Sequence, residues 1–206
     1  MKAVLEKTGL LLFLFGLIQV AGGCVMEDRV VELVVNESTC VDFLEDHDTA
    51  SFVNPVTVYY ADEINGILED NDVSREDIVT AMLVSASYGV TDVDPAHDDW
   101  IITGSVTVER VDKTDGPDTL WEYTSVSISA ALGKKIPALM NEGGVGILNR
   151  ALADFIAGEN PVLTFKVVNS GVTPAPSVSV PIQFAWKGCI VVDIVAKSDI
   201  EVPDPF

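Results

Sequence analysis

The chain is predicted to be mainly β, an antiparallel β-sandwich with one amphipathic helix and short helical turns near its N-terminal end. Three observations point there. Run after run of four to ten residues alternates apolar with polar or small side chains, the period of a strand with one buried face. Turn signals such as Asp115-Gly116-Pro117 and Pro174-Ala175-Pro176 punctuate those runs. Apolar residues make up 48% of the chain, enough to build a core and too many for a disordered polymer.

The elements follow in order. Val30-Val31-Glu32-Leu33-Val34-Val35 is a β-prone run, and an acidic stretch, Glu45-Asp46-His47-Asp48, reads as a solvated loop. Val56, Val58 and Tyr60 alternate with Thr57 and Tyr59, a second strand. Ile64, Ile67 and Leu68 fall at helical spacing, which predicts a short helix over residues 62–69. Ser74 with Asp77 resembles a helix N-cap. Met82, Val84, Ala86, Tyr88 and Val90 then keep a period of two, so one helical turn over residues 74–78 should lead into a strand reaching about Thr91.

Residues 100–111 alternate through Ile102, Gly104, Val106 and Val108. Residues 120–131 alternate through Val126, Ile128 and Ala130. With a turn between them they should pair as a hairpin. Ile147, Leu148, Ala151, Leu152, Phe155 and Ile156 form one apolar helical stripe, with Gly158 as the stop. That helix should plug one end of the sandwich, with Gly143-Gly144-Val145-Gly146 as a flexible lead-in. Leu163, Phe165 and Val167 begin another strand; Val178, Val180, Ile182 and Phe184 continue the pattern beyond the proline turn. Lys187-Gly188 suggests a bulge or tight turn, and Ile190, Val192, Ile194 and Ala196 close the domain. An immunoglobulin-like or related sandwich fits this order.

The first 24 residues carry a different message. Lys2 and Lys7 precede an apolar run over residues 9–20, and Ala21-Gly22-Gly23 leads into Cys24. That is the order of a secretory signal peptide. The run is short of the roughly 20 apolar residues a transmembrane helix needs. The junction resembles the lipobox of bacterial lipoproteins. The resemblance implies that residues 1–23 are removed, that Cys24 becomes the first residue, and that it carries acyl chains holding the protein on a membrane. Val25 follows in place of the Asp that favours inner-membrane retention, which implies the outer membrane if the host is Gram-negative. The remaining alternative is ordinary cleavage that leaves Cys24 as a thiol. From Ser74 onward the order of elements also resembles β-sandwich envelope lipoproteins of bacteria, a likeness of architecture that brings no activity with it. Residues 24–206 should form one acidic domain.

Formal net charge is −20, and the leader removes more base than acid, Lys2 and Lys7 against Glu6. Such a surface repels phosphate backbones, so nucleic-acid binding is excluded as an expectation. Cys40 and Cys189 remain as an even pair in an exported protein. Either they bridge the first segment to the last strand or they are two buried thiols.

Candidate chemistry is sparse. Asp92, Asp94, Asp98 and Asp99 are placed to line a calcium loop, against the plain alternative of a solvated acidic turn. Zinc would need His47 and His97 to meet. The EF-hand comparison fails, since counting from Asp70 the sixth place is Arg75 and the twelfth is Ala81. Trp121 and Tyr123 share a strand face with Ser125, which offers a carbohydrate-stacking platform against the alternative of core packing. Signatures of catalytic triads, zinc proteases and phosphate loops are missing from the sequence. The expectation is a lipid-anchored envelope protein, not an enzyme, that serves as a structural, adhesive or binding module. It would have a membrane contact through its lipid, an envelope protein or glycan as partner, and no cofactor unless calcium. A carbohydrate- or calcium-dependent binding module is the alternative, and a hydrolase ranks last.

Overall fold

Two four-stranded sheets face each other in the computed structural model, which describes residues 29–94 and 99–200. The strands are β1 (Arg29–His47), β2 (Phe52–Tyr59), β3 (Ile78–Val93), β4 (Ile101–Arg110), β5 (Asp115–Ser127), β6 (Ile136–Ala138), β7 (Val162–Thr173) and β8 (Ile182–Ile200). One sheet has the order β1-β8-β3-β6 and the other β2-β7-β4-β5. Pairings of β2 with β7, β4 with β5 and β7, and β3 with β6 and β8 are antiparallel. This is the expected sandwich, and Glu32–Ser198 form its compact unit. Cys24 and the leader lie outside the described residues.

The alternation seen in the sequence is what fills the interior. Val106 and Val108 of β4, Leu163 and Phe165 of β7, and Ile190, Val192 and Ile194 of β8 all point inward and are buried. β1 is longer than its apolar run suggests. Val35, Phe43 and Glu45 are buried and keep the inward parity through the stretch expected to be a loop, so the strand continues to His47. Its partners on β8 step backwards as β1 advances: Asn36 meets Asp193, Cys40 meets Cys189, Asp42 meets Lys187 and Asp46 meets Gln183.

Three helices complete the described unit: α1 (Tyr60–Asp70), α2 (Ile128–Ala131) and α3 (Glu142–Ile156). The turn at Arg75–Asp77 leads directly into β3, as the sequence predicts. The strand expected over residues 120–131 ends early. Ser127 accepts the Ala130 N–H with its hydroxyl and starts the single turn of α2. Val178 and Val180 are also not in a strand. They sit exposed in a turn closed by Ser177 and Val180, and β8 begins only after Pro181. Lys187 and Gly188 run through β8 without a turn. A Cβ on Gly188 would lie 3.1 Å from the Trp121 ring, so the glycine admits an indole and does not bend the chain.

Helix α3 buries Ile147, Leu148, Ala151, Leu152 and Phe155, and its glycines are helical from Glu142 onward. The lead-in loop is therefore corrected: Gly144 presses on β5, where a Cβ would meet Thr119 O and Leu120 Cα at 2.6 Å. Polar contacts fix the rest. Asn149 Oδ1 accepts the Leu83 N–H of β3 at 2.9 Å, at a point where β6 does not reach. The Arg75 guanidinium lies 3.8 Å over the Phe155 ring and donates to the Phe155 and Glu159 carbonyls at the helix C-terminus. Arg110, with a side chain 1% exposed, donates to both oxygens of Asp112 and to Asp154 at 2.7 Å, while Lys113 joins Asp154 and Glu159. The hydrogen bond from Arg110 holds the Asp112 carboxyl down to about 2.

Candidate functional site

The most unusual group in the sandwich is Glu45, a carboxylate with no exposed surface. It reaches the interior because β1 alternates, with Phe43 and Glu45 inward and Leu44 and Asp46 outward. A buried charge is costly unless hydrogen bonds replace its water. Three groups do so. Trp186 Nε1 donates to Glu45 Oε1 at 2.9 Å, and Asn54 Nδ2 donates to Oε2 at 3.1 Å. His47 Nε2 lies 2.8 Å from Oε2. The imidazole is itself clamped, stacked on Phe52 with ring centroids 3.8 Å apart.

Aromatic rings surround this carboxylate. Phe43 stacks on Trp186 at 5.1 Å, and Tyr123 meets Trp186 edge-on at 5.6 Å. Burial, followed by the field of Glu45, pushes the Tyr123 phenol well above its ordinary range. Its hydroxyl contacts Asn169 Oδ1 at 3.4 Å, and the Asn169 amide donates to the Ala50 and Gly171 carbonyls. The cluster is thus a satisfied polar network inside an aromatic shell.

Above it, on the side of β1, β3 and β8, lies an open groove of about 570 Å³. Asp46, Asp92 and Asp94 line it together with Leu44 and Phe184, and Glu45, itself without exposed surface, forms part of its wall. Asp46 Oδ1 accepts from Gln183 at 3.2 Å; Asp92 Oδ1 accepts from the Val93 N–H at 2.9 Å.

The residues singled out by sequence divide accordingly. Asp92 and Asp94 come together in the groove, with Asp46 as an additional neighbour. Asp99 is exposed beyond the stretch 95–98; Asp98 and His97 lie outside the described residues. Among the described residues no three His, Cys, Asp or Glu side chains gather closely enough to hold a metal. Cys40 and Cys189 are joined by a disulfide, Cα–Cα 4.1 Å, on the outward positions of β1 and β8.

The stacking platform is corrected. Trp121 is 1% exposed and Tyr123 is 3% exposed, so neither offers a ring face to a sugar. Both face the opposite sheet: Trp121 lies against Gly188, and Tyr123 against Trp186. Sequence reasoning also missed Glu45, Asn54 and Trp186 as a unit. The available signal was parity, since Glu45 continues the inward register of Phe43.

No protein-family model and no curated protein matches the chain. Among solved structures the chain is similar to that described as "Crystal structure of decameric BFDV Capsid Protein", at 10% identity and a TM-score of 0.28, over 81% of this chain and 99% of that one.

Proposed function

We propose that the protein is an exported, lipid-anchored envelope module that binds or braces without catalysing a reaction. The observation that carries this reading is Cys24, placed behind a basic leader, an apolar run and three small residues. The outward-facing Cys40–Cys189 bridge suits an oxidising compartment. The enclosure of Glu45 by Trp186, Asn54 and His47 favours a structural carboxylate over a catalytic one, because it has no surface for a substrate to touch.

Metabolic labelling with a radioactive or alkynyl fatty acid tests the anchor. The wild-type chain should take up label and partition into detergent, and Cys24→Ala should do neither. An unlabelled mature protein whose N-terminus is free Cys24 would refute it.

A second reading is favoured by the groove. Asp46, Asp92 and Asp94 around about 570 Å³ suit a cationic ligand; the three are too far apart to hold calcium by themselves, so a calcium site there would need ligands beyond them. Calcium binding would raise the melting temperature by mass action, by about 2.7 kcal/mol of stability at one hundred times the dissociation constant. An unchanged melting curve at millimolar calcium counts against it.

A further inference from the structure

Between the two sheets lies a second, much smaller cavity of about 10 Å³. Thr39, Val41 and Phe43 of β1, Val58 of β2, Phe165 of β7 and Gly188 of β8 form part of its wall. Two further wall residues are Tyr60, the first residue of α1, and Trp121 of β5. Each is 1% exposed, and among the described residues neither the Tyr60 hydroxyl nor the Trp121 Nε1–H has a hydrogen-bond partner. These are two independent orphaned groups on residues that line one space, in a structure whose other buried network, around Glu45, is satisfied.

We propose that this cavity is a binding site for a single water molecule shared by Tyr60 and Trp121. The volume sets the ligand: it matches the roughly 10–15 Å³ that one water needs on this measure and leaves no room for an ion with its hydration shell or for an organic molecule. The donor and acceptor inventory sets the geometry. Trp121 Nε1–H only donates, so the water oxygen accepts from it. The phenol both donates and accepts, so it takes either the second lone pair or one hydrogen of the water. Thr39 already donates its hydroxyl hydrogen to Glu63 at 2.9 Å, leaving only oxygen lone pairs as a third contact. Apolar walls at Val41, Phe43, Val58 and Phe165 hold the water in place and slow its escape.

The site gives Trp121 a role that neither sugar stacking nor simple packing assigns. Its ring passes between the sheets against Gly188, and the water ties its polar edge to the start of α1. In effect the water would be a hydrogen-bonded rivet between β5 and the α1 junction that follows β2, the other edge strand of the same sheet.

Two measurements on the full-length protein test this. In a high-resolution crystal structure, one density peak should lie about 3 Å from both Tyr60 Oη and Trp121 Nε1. A dry cavity, or rearranged protein groups that pair with these atoms directly, would overturn the proposal. In solution, water-to-protein cross-relaxation should appear at the Trp121 indole proton and be missing from that of Trp186, which is bonded to Glu45. Tyr60→Phe should cut the Trp121 signal several-fold by removing one of the water's partners. An undiminished signal in that variant would show that the two residues do not share a water.

Discussion

The Trp186 indole N–H donates to the Glu45 carboxylate at 2.9 Å, linking adjacent strands β8 and β1 in the interior of the sandwich. The contact makes β1, an edge strand, specific in register: a shift by one residue would turn Glu45 out and bring Leu44 or Asp46 into the aromatic shell. Replacing Glu45 with Ala should therefore cost more than its volume suggests. It orphans the Trp186 N–H, releases His47 and removes one acceptor of the Asn54 amide, which keeps its bond to Leu44 O. A loss of about 1–3 kcal/mol is expected from the stranded Trp186 donor alone. Equilibrium urea unfolding measures it, and a loss under 1 kcal/mol would show that the network is not structural.

Acid should loosen the clamp between the β4–β5 hairpin and α3. The Arg110 guanidinium holds Asp112 down to about 2 from an ordinary carboxylate value of 3.8. The folded value is the lower one, so this stability is present above the unfolded value and is lost as pH falls through the folded value. Linkage sets an upper bound of about 2 kcal/mol on the term, which solvent screening of this partly exposed carboxylate lowers towards about 1 kcal/mol; it is full near pH 6 and lost as the pH approaches 2. Asp154 and Asp115 are depressed in the same direction, by Lys113 with Arg110 and by Arg150 respectively. Asp112→Asn should flatten the slope of stability against pH between about 5 and 2; an unchanged slope would remove Asp112 from the account.

Reduction should be felt strongly. The Cys40–Cys189 bond closes a loop of sequence separation 149, which in the chain-entropy treatment contributes about 5 kcal/mol. It also pins the edge strand β1 to β8. A Cys40→Ala, Cys189→Ala pair should melt well below the oxidised protein and match the wild type in reductant. Equal melting temperatures with and without reductant would show that the bond adds nothing.

The sequence carried the framework better than the site. Period-two alternation identified the strands that fill the core, and the helical stripe from Ile147 to Phe155 identified α3, because in both cases the pattern is the burial. It failed where a residue is placed by a distant partner. Val178 and Val180 alternate correctly, yet Pro181 and a local turn leave them in solvent. Trp121 and Tyr123 flank Glu122 and share a strand parity with Ser125, and only the opposite sheet, with Gly188 and Trp186, buries them. Glu45 reads as one acid in an acidic run. Its donors Asn54 and Trp186 are 9 and 141 residues away, and nothing local announces the second.

The glycines of α3 give a last test, of how the helix is seated. Gly144 is helical, so no special backbone angle demands it; contact does. A methyl there would lie 2.6 Å from Thr119 O and Leu120 Cα, both backbone atoms that cannot swing away. Helix propensity alone favours alanine over glycine by about 1 kcal/mol. Overpacking opposes it by about 1–3 kcal/mol, because α3 must lift from β5 and strain the Arg150–Asp115 pair beside it. Gly144→Ala should thus destabilise, whereas Gly146→Ala, which meets only the end of the flexible Arg150 side chain at 3.2 Å, should be neutral or stabilising. Thermal melts of the two variants decide the matter: if Gly144→Ala gains stability as Gly146→Ala does, the glycine is not what lets α3 approach the sheet.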